Sequence, residues 1–391
     1  MRILVAHNVS RTRSGGMSRI MGFIHDEIAA AGHSIEWLCA EDVPDALRGS
    51  RARFGFPWLV WRTAREAVRK RQPFDIINVH EPQGALVALD QRRVSRYGVV
   101  VTSHGLEQRA WELALEERRA GRSGPNLKTR LVYPATSLWQ SRIALKRARL
   151  VLALNEQDRA YLATRLGVPP SRTCRMRPGA SEIYSARSSG RRYDSGRRLV
   201  FAGTWRKNKG IEDLIPAFTT LAQRHPGISL TVLGSGVPDS QVTNAFPADI
   251  RAQIHPIEKA DDEIAARTLA FSDVFVLPSL FEGTPLTLIE GMMSGLPVVT
   301  TDTCGMRDTI VHEVTGLLVR THAPDQLVSA IERLIGDADL RSRLGGAARD
   351  EALARHTWPF VAREVLDAYL QLVEPGPCES RSGLRTLDQP T

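Results

Sequence analysis

The chain is predicted to be an α/β protein of two doubly wound parallel-sheet domains facing a cleft. Three observations carry that expectation. Apolar strand-like runs alternate with helix-like stretches from the first residues onward, an order that implies parallel strands covered on both faces. The alternation stops near residue 178 in a small, polar, basic stretch, PGASEIYSARSSGRRYDSGRR, and starts afresh at residue 198. With 391 residues, 42% hydrophobic and 24% charged, the chain is long enough for two such domains and has an ordinary globular composition.

In the first half the strand-like runs are RILVAH (2–7), SIEWLCA (34–40), DIINVH (75–80), VVVTSH (99–104) and LVLALN (150–155). Helical patterns lie between them, near 17–31, 57–71 and 136–148. From 107 to 128 a polar, Arg- and Glu-rich segment with Gly121, Gly124 and Pro125 interrupts the order. It reads either as a loop or broken helix facing an acceptor, or as a surface excursion. The second half repeats the logic with RLVFAGT (198–204), ISLTVLG (228–234), a strand near 251–257, VFVLPS (274–279) and PVVTT (297–301). Its helices are expected at 209–225, near 238–246 and at 261–271. The chain thus divides into an N-terminal domain (1–178), a linker (179–197), a C-terminal domain (198–357), a closing helix (358–373) and a tail (374–391) expected to be disordered.

Charge is distributed unevenly. Residues 1–180 hold 30 lysines and arginines against 16 acids, a net of +14, whereas the remainder holds 22 against 27, a net of −5. A basic first half alone points to an anionic partner of that half, either an anionic membrane surface or a diphosphate-linked acceptor. Helical spacing makes part of each basic stretch a solvated face, and the lack of an aromatic-interleaved basic motif argues against nucleic acid. No apolar run approaches the roughly 18 residues that span a bilayer, and MRILVAH enters a strand directly, so the expectation is a cytoplasmic protein, peripheral at the inner face of the membrane. The four cysteines, Cys39, Cys174, Cys304 and Cys378, are scattered and indicate neither a disulfide framework nor a zinc site.

The most informative stretch is 281–299, FEGTPLTLIEGMMSGLPVV, set between two buried-strand patterns. Thr284 is placed to cap a helix and Pro285 to occupy its first position. A helix start at the C-terminal edge of a parallel sheet offers amides and a positive dipole end to phosphate. Two carboxylates, Glu282 and Glu290, flank that start, so the ligand also carries hydroxyls, which is the chemistry of a nucleotide sugar. Taken singly, either carboxylate reads first as a solvated, dipole-complementing surface group, and only the combination with its neighbours favours a site.

With Gly283, the Thr284-Pro285 start and the Gly295-Leu296-Pro297 stop, this stretch resembles the E-x7-E signature of family 4 retaining glycosyltransferases, of GT-B fold. The resemblance runs to about residue 372 and implies two Rossmann-like domains, the N-terminal one for the acceptor and the C-terminal one for the donor. It implies that Glu290 holds the ribose hydroxyls and Glu282 the donor-sugar hydroxyls, with Gly283, Thr284 and Pro285 beside the diphosphate. The turn with Gly15 and Gly16, preceded by Arg13 and Ser14, stands where the family carries its Gly-Gly loop. In GTWRKNKG (203–210) the family pattern sets Arg one residue after Gly203 and Lys five residues beyond it. Lys209 keeps its place for the diphosphate; the Arg position is Thr204, with Arg206 the nearest substitute and Lys207 an alternative. His104, followed by Gly105, resembles the family's His-Gly pair near the reacting centre. Gly305 stands in a turn that borders the donor site, and Arg177-Pro178-Gly179 keeps a family turn without its Asn. His80-Glu81-Pro82 is a second polar cluster at the same edge, on the acceptor side.

No metal and no cofactor are expected: Asp337-Ala338-Asp339 lies between helical patterns, and Lys, Arg and helix dipoles serve in place of a cation. The expected activity is retaining transfer of a sugar from a UDP- or GDP-sugar to a sugar or lipid-linked acceptor, in envelope or exopolysaccharide synthesis. A nucleotide-sugar epimerase of the same fold and a non-catalytic sugar-binding subunit of a polysaccharide assembly are the alternatives.

Overall fold

The structure, a computed structural model, describes residues 1–12, 15–122 and 124–373. The expected tail at 374–391, together with Arg13 and Ser14 of the first glycine turn, lies outside the described residues. The described chain forms two six-stranded sheets. The first contains β1 (Arg2–Ala6), β2 (Ser34–Leu38), β3 (Phe74–His80), β4 (Ser95–Ser103), β5 (Leu150–Ala153) and β6 (Thr173–Arg175), in the order β2-β1-β3-β4-β5-β6, with all neighbours parallel. The second contains β7 (Arg198–Ala202), β8 (Ser229–Leu233), β9 (Ile254–Ile257), β10 (Val274–Leu277), β11 (Val298–Thr301) and β12 (Leu317–Val319), in the order β12-β11-β10-β7-β8-β9, again all parallel.

The strand order decides where a ligand can sit. β1 lies between β2 and β3, and β7 between β8 and β10, so successive connections leave these two strands in opposite directions. Such a reversal opens a crevice at the C-terminal edge of the sheet. The first loop of each domain, after β1 and after β7, starts at its crevice. Covered on both faces, the central strands are apolar throughout: VFVL in β10 is wholly buried.

Two layers pack around the first sheet. On one face the helix Ala52–Arg69 and its neighbours contribute Phe56, Val60 and Ala64. On the other, the helix Gly16–Ala30 packs against Trp358–Val373, the last described helix, so that Trp358, Val361 and Val365 share a core with Ile3, Val5 and Ile24. Trp358 stacks on Phe23 with centroids 4.9 Å apart, and the Tyr369 hydroxyl lies 2.6 Å from Asn78 Nδ2 and 3.3 Å from His25 Nε2.

Three local features go beyond the sequence reading. The segment from 107 is a broken helix, Glu107–Arg119 and Leu127–Tyr133, with Gly121 at φ +73 just past the end of the first part. The linker is docked rather than free: it contains the short helix Ile183–Arg187, Tyr184 is fully buried, and Arg191 donates to the carbonyls of Ser294, Ser272 and Leu269 at 2.6–2.7 Å. Its anchors are isolated residues in a polar string, which no periodicity reveals. Edge strands β6 and β12, three residues each, are too short to show a period and were not expected.

Candidate active site

Both crevices open into one cavity of about 340 Å³ between the domains. From the N-terminal side it is lined by Gly16, Arg19 and His104; from the C-terminal side by Gly203, Thr204, Lys209, Glu282, Gly283, Thr284, Pro285 and Glu290. The structure therefore brings together most of the residues singled out in the sequence, from Gly16 to Glu290.

The 281–299 stretch lies between β10 and β11 and forms the helix Leu286–Met293. That helix begins one residue later than expected. Pro285 holds the N-cap position with extended backbone, and no side chain caps the helix. Thr284 is not the cap because its hydroxyl donates across the cleft to the Leu154 carbonyl, at 2.9 Å. The first turn, Pro285 to Thr287, thus lines the cavity uncapped, where unsatisfied amides and the dipole favour an anion. The loop before it is held by the other domain: Asn155 Nδ2 donates to the Gly283 carbonyl at 3.0 Å, and a Cβ on Gly283 would come within 2.3 Å of the His104 carbonyl oxygen.

Glu282 lies 2.5 Å from the Nζ of Lys209, each side chain less than one-fifth exposed. Lys209 ends a 3-10 turn, Lys207–Lys209, and its chain runs over Gly203, where the φ of +152 favours glycine and a Cβ would make only ordinary contact, 3.6 Å from the lysine Cδ and Cε. Gly210 then caps the next helix with φ +74, and a Cβ there would come within 1.8 Å of the Pro278 carbonyl oxygen, so only glycine fits. Glu290 is buried on the inner face of its helix, 2.9 Å from the guanidinium of Arg19, which is also 2.8 Å from Asp262. Burial pushes the Glu290 carboxyl up and Arg19 draws it back.

His104 faces the cavity from the end of β4. Its Nε2 lies 2.9 Å from His80 Nδ1, the rings are stacked at 14°, and its Nδ1 finds no hydrogen-bond partner among the described residues. Burial and the neighbouring His7 push His104 down to about 3, so the imidazole is neutral at ordinary pH. Glu81, one residue beyond β3, is buried against Ser141 and the Glu107 amide, and burial with Glu107 nearby pushes its carboxyl up to about 8. Glu81 does not line the cavity.

Arg206, its alternative Lys207, Gly15 and Gly305 are also outside the lining. Arg206 is exposed: Trp205 turns into the core against Phe201 and Phe246, and the next side chain consequently points to solvent. Thr204 stands on the cavity wall instead, and Lys207 is paired with Glu212 at 2.5 Å. Gly15 is the extended N-cap of its helix, behind Gly16. Gly305 supports the site from beneath, since a Cβ there would meet the Gly283 carbonyl at 1.9 Å. Conversely, Arg19, Asp262 and Tyr184 line the cavity and were missed. Arg19 had a signal, being three residues after Gly16 on the same helical face; Asp262 and Tyr184 had none.

Comparison with known proteins bears on the family and the fold. The model of the family Glycosyltransferase Family 4 matches residues 14–181, and that of Glycosyl transferases group 1 matches residues 185–351. A D-inositol 3-phosphate glycosyltransferase of Pseudarthrobacter chlorophenolicus is 31% identical over 327 residues, 79% of this chain and 74% of that protein. An uncharacterized glycosyltransferase of Methanocaldococcus jannaschii is 27% identical over 177 residues, so the chain matches only 45% of that relative's length. Among solved structures, sucrose-phosphate synthase from Thermosynechococcus elongatus superimposes with a TM-score of 0.75 over 96% of this chain and 100% of that one, at 21% identity. The Anabaena protein HepE, in complex with UDP-glucose, does so with a TM-score of 0.67 over 95% and 100%, at 16% identity. At such identities the superpositions establish the two-domain GT-B fold, and the sequence matches establish the lineage: the chain belongs to the group 1 glycosyl transferases, with a family 4 N-terminal domain.

Proposed function

We propose that the protein transfers a sugar, with retention of configuration, from a UDP- or GDP-sugar to a sugar or lipid-linked acceptor in envelope or exopolysaccharide synthesis. The observation that carries this reading is a single cavity in which two carboxylates, Glu290 buried and Glu282 half-buried, a lysine and an uncapped helix start converge from β7, β10 and the helix after it. Glu290 receives the ribose hydroxyls and Glu282 the donor-sugar hydroxyls near the anomeric carbon. Lys209 and the first turn of Leu286–Met293 meet the diphosphate, where charge grows as the leaving group departs and preorganised donors act most strongly. His104, neutral, faces the sugar as a hydrogen-bonding partner rather than a charge.

The acceptor enters from the N-terminal domain. Its hydroxyl oxygen attacks the anomeric carbon on the face from which the diphosphate leaves; the old C–O bond breaks, and the hydroxyl proton passes to the departing phosphate oxygen. No protein nucleophile takes part. No group of His, Cys, Asp and Glu among the described residues is arranged to hold a metal ion, and in this reading the cationic work falls to Lys209 and the helix amides. HepE, solved with UDP-glucose, supports the donor class.

No helix among the described residues is long and apolar enough to cross a membrane. We place the protein peripherally, against the anionic inner face of the membrane. The N-terminal domain supports this: Phe54, Leu89 and Trp139 are each more than half exposed, and Leu89 shares a surface cleft with Arg92, Arg93 and Lys146.

The test is Lys209→Ala. Transfer should fall at least about a hundredfold in kcat while circular dichroism and melting stay native; unchanged turnover would sink the assignment. Thermal-shift screening of UDP- and GDP-sugars finds the donor, because a bound ligand stabilises by mass action. Product analysis with donor alone then separates transfer, which needs an acceptor, from epimerisation, which does not.

A further inference from the structure

We infer that Arg19 is a positioning residue for the donor: it reaches across the cleft from the N-terminal domain to hold Glu290, so that the nucleotide site on the C-terminal domain is complete only when the two domains are closed. This rests on the donor reading above and adds a residue from the other domain to it.

Three elements converge on one guanidinium. Arg19 projects from Gly16–Ala30 in the N-terminal domain, whereas Glu290 and Asp262 stand on two separate helices of the C-terminal domain, Leu286–Met293 and Asp262–Phe271. Nη2 of Arg19 lies 2.9 Å from Glu290 Oε1 and 2.8 Å from Asp262 Oδ1. The linker adds Tyr184, whose hydroxyl is 3.4 Å from the same Asp262 oxygen. The Arg19 and Glu290 side chains are only 18% and 4% exposed, so this is no ordinary surface ion pair. Removing Arg19 leaves a carboxylate stranded in a low-dielectric wall, and such a group responds by taking up a proton. The contact with Arg19 engages Glu290 Oε1, an enclosed oxygen, so incoming hydroxyls meet the carboxylate at its other oxygen.

The consequence is chemical as well as mechanical. A ribose diol donates two hydrogen bonds best to an ionised carboxylate. Burial and Asp262 oppose that ionisation and Arg19 favours it; His104, Lys209, Asp261 and Glu282 line the rest of the cavity. An open cleft carries Arg19 away with its domain and leaves Glu290 a poorer acceptor. Donor affinity and closure are thereby coupled, and the coupling is reciprocal.

The experiment is calorimetric titration of UDP and GDP, from pH 5.5 to 8.5, into wild type, Arg19→Met, Arg19→Lys, Glu290→Gln and the Arg19→Met/Glu290→Gln double variant. Wild type should bind one nucleotide with little pH dependence. Arg19→Met should bind it roughly tenfold more weakly at pH 7.5, with the deficit growing as pH falls. Arg19→Lys should recover the flat pH profile, and it carries the test should Arg19→Met not fold. The double variant should bind no more weakly than Glu290→Gln alone, because the two residues act as one unit. Wild-type affinity in Arg19→Met at every pH, a pH-dependent loss in Arg19→Lys, or fully additive losses in the double variant would each overturn the inference while leaving the donor reading intact. A wild type that binds neither nucleotide overturns both.

Discussion

At the scale of single residues, the site is built from side chains whose burial sets their charge. His104 and Glu81 lie at the same sheet edge and are both held neutral at ordinary pH, one because an imidazolium is costly there and the other because a carboxylate is. Glu81 makes a measurable prediction. Its folded carboxyl is pushed up to about 8 from an ordinary 4.5, so the folded chain keeps a proton that the unfolded chain has lost. Stability is therefore full below about pH 4.5 and declines as pH rises towards 8. Glu81→Gln keeps an acceptor for Ser141 and the Glu107 amide but cannot ionise. Relative to wild type it should gain on the order of 4 kcal/mol between pH 4.5 and pH 8, read from urea midpoints at each pH; a constant difference across that range would refute the assignment. Gly210→Ala is the opposite case, a steric one. With φ +74 and the Pro278 carbonyl in the way, it should cost more than about 1 kcal/mol and draw Lys209 out of place, so that melting temperature and transfer fall together.

At the scale of elements, the exposed face of the N-terminal domain carries its own prediction. Apolar side chains that water should disfavour sit beside arginines and lysines, a pairing suited to an anionic bilayer surface. Binding to phosphatidylserine-containing vesicles should weaken steeply between low and physiological salt. Leu89→Glu with Trp139→Glu should abolish it while shifting stability by less than about 1 kcal/mol, both residues being exposed; vesicle binding indifferent to salt and to these changes would remove the membrane reading. Elements also show how far the sequence could be read. Runs such as VFVL and VVVT announce buried parallel strands by composition alone, and FEGTPLTLIEG announces a helix start between two carboxylates. Its cap could not be assigned, because Thr284 is engaged by Leu154, 130 residues away. Arg206 misled for a related reason: which side of a turn a cation faces is set by Trp205 entering the core beside it. Asp262 and Tyr184 belong to the site only through folding, and no local pattern marks them.

At the scale of the whole molecule, the chain crosses between its domains twice, and this fixes what a truncation must do. After the linker has carried it into the C-terminal domain, the chain returns at its end, and the helix Trp358–Val373 becomes part of the core of the N-terminal sheet. Val361, Val365 and Tyr369 cover Ile3, Val5, Ile24 and Ile28, and Asn78 and His25 turn their polar atoms to the Tyr369 hydroxyl. Removing residues 358–391 therefore strips the first domain rather than the one it follows in sequence. Hydrogen exchange should show protection lost in β1 and Gly16–Ala30 while β7 to β11 stay protected, and the exposed apolar face should promote aggregation. Tyr369→Phe is the mild counterpart: it leaves the packing but deprives two buried polar groups of their partner, at a cost of about 1–3 kcal/mol. Because Arg19 stands on the helix that Trp358–Val373 braces, that variant should also weaken nucleotide binding slightly more than its distance from the cavity alone would suggest. Truncation that instead exposed the C-terminal sheet, or left β1 fully protected, would show that the returning helix is an ornament of the fold and not the strap that holds the donor-facing side of the first domain in place.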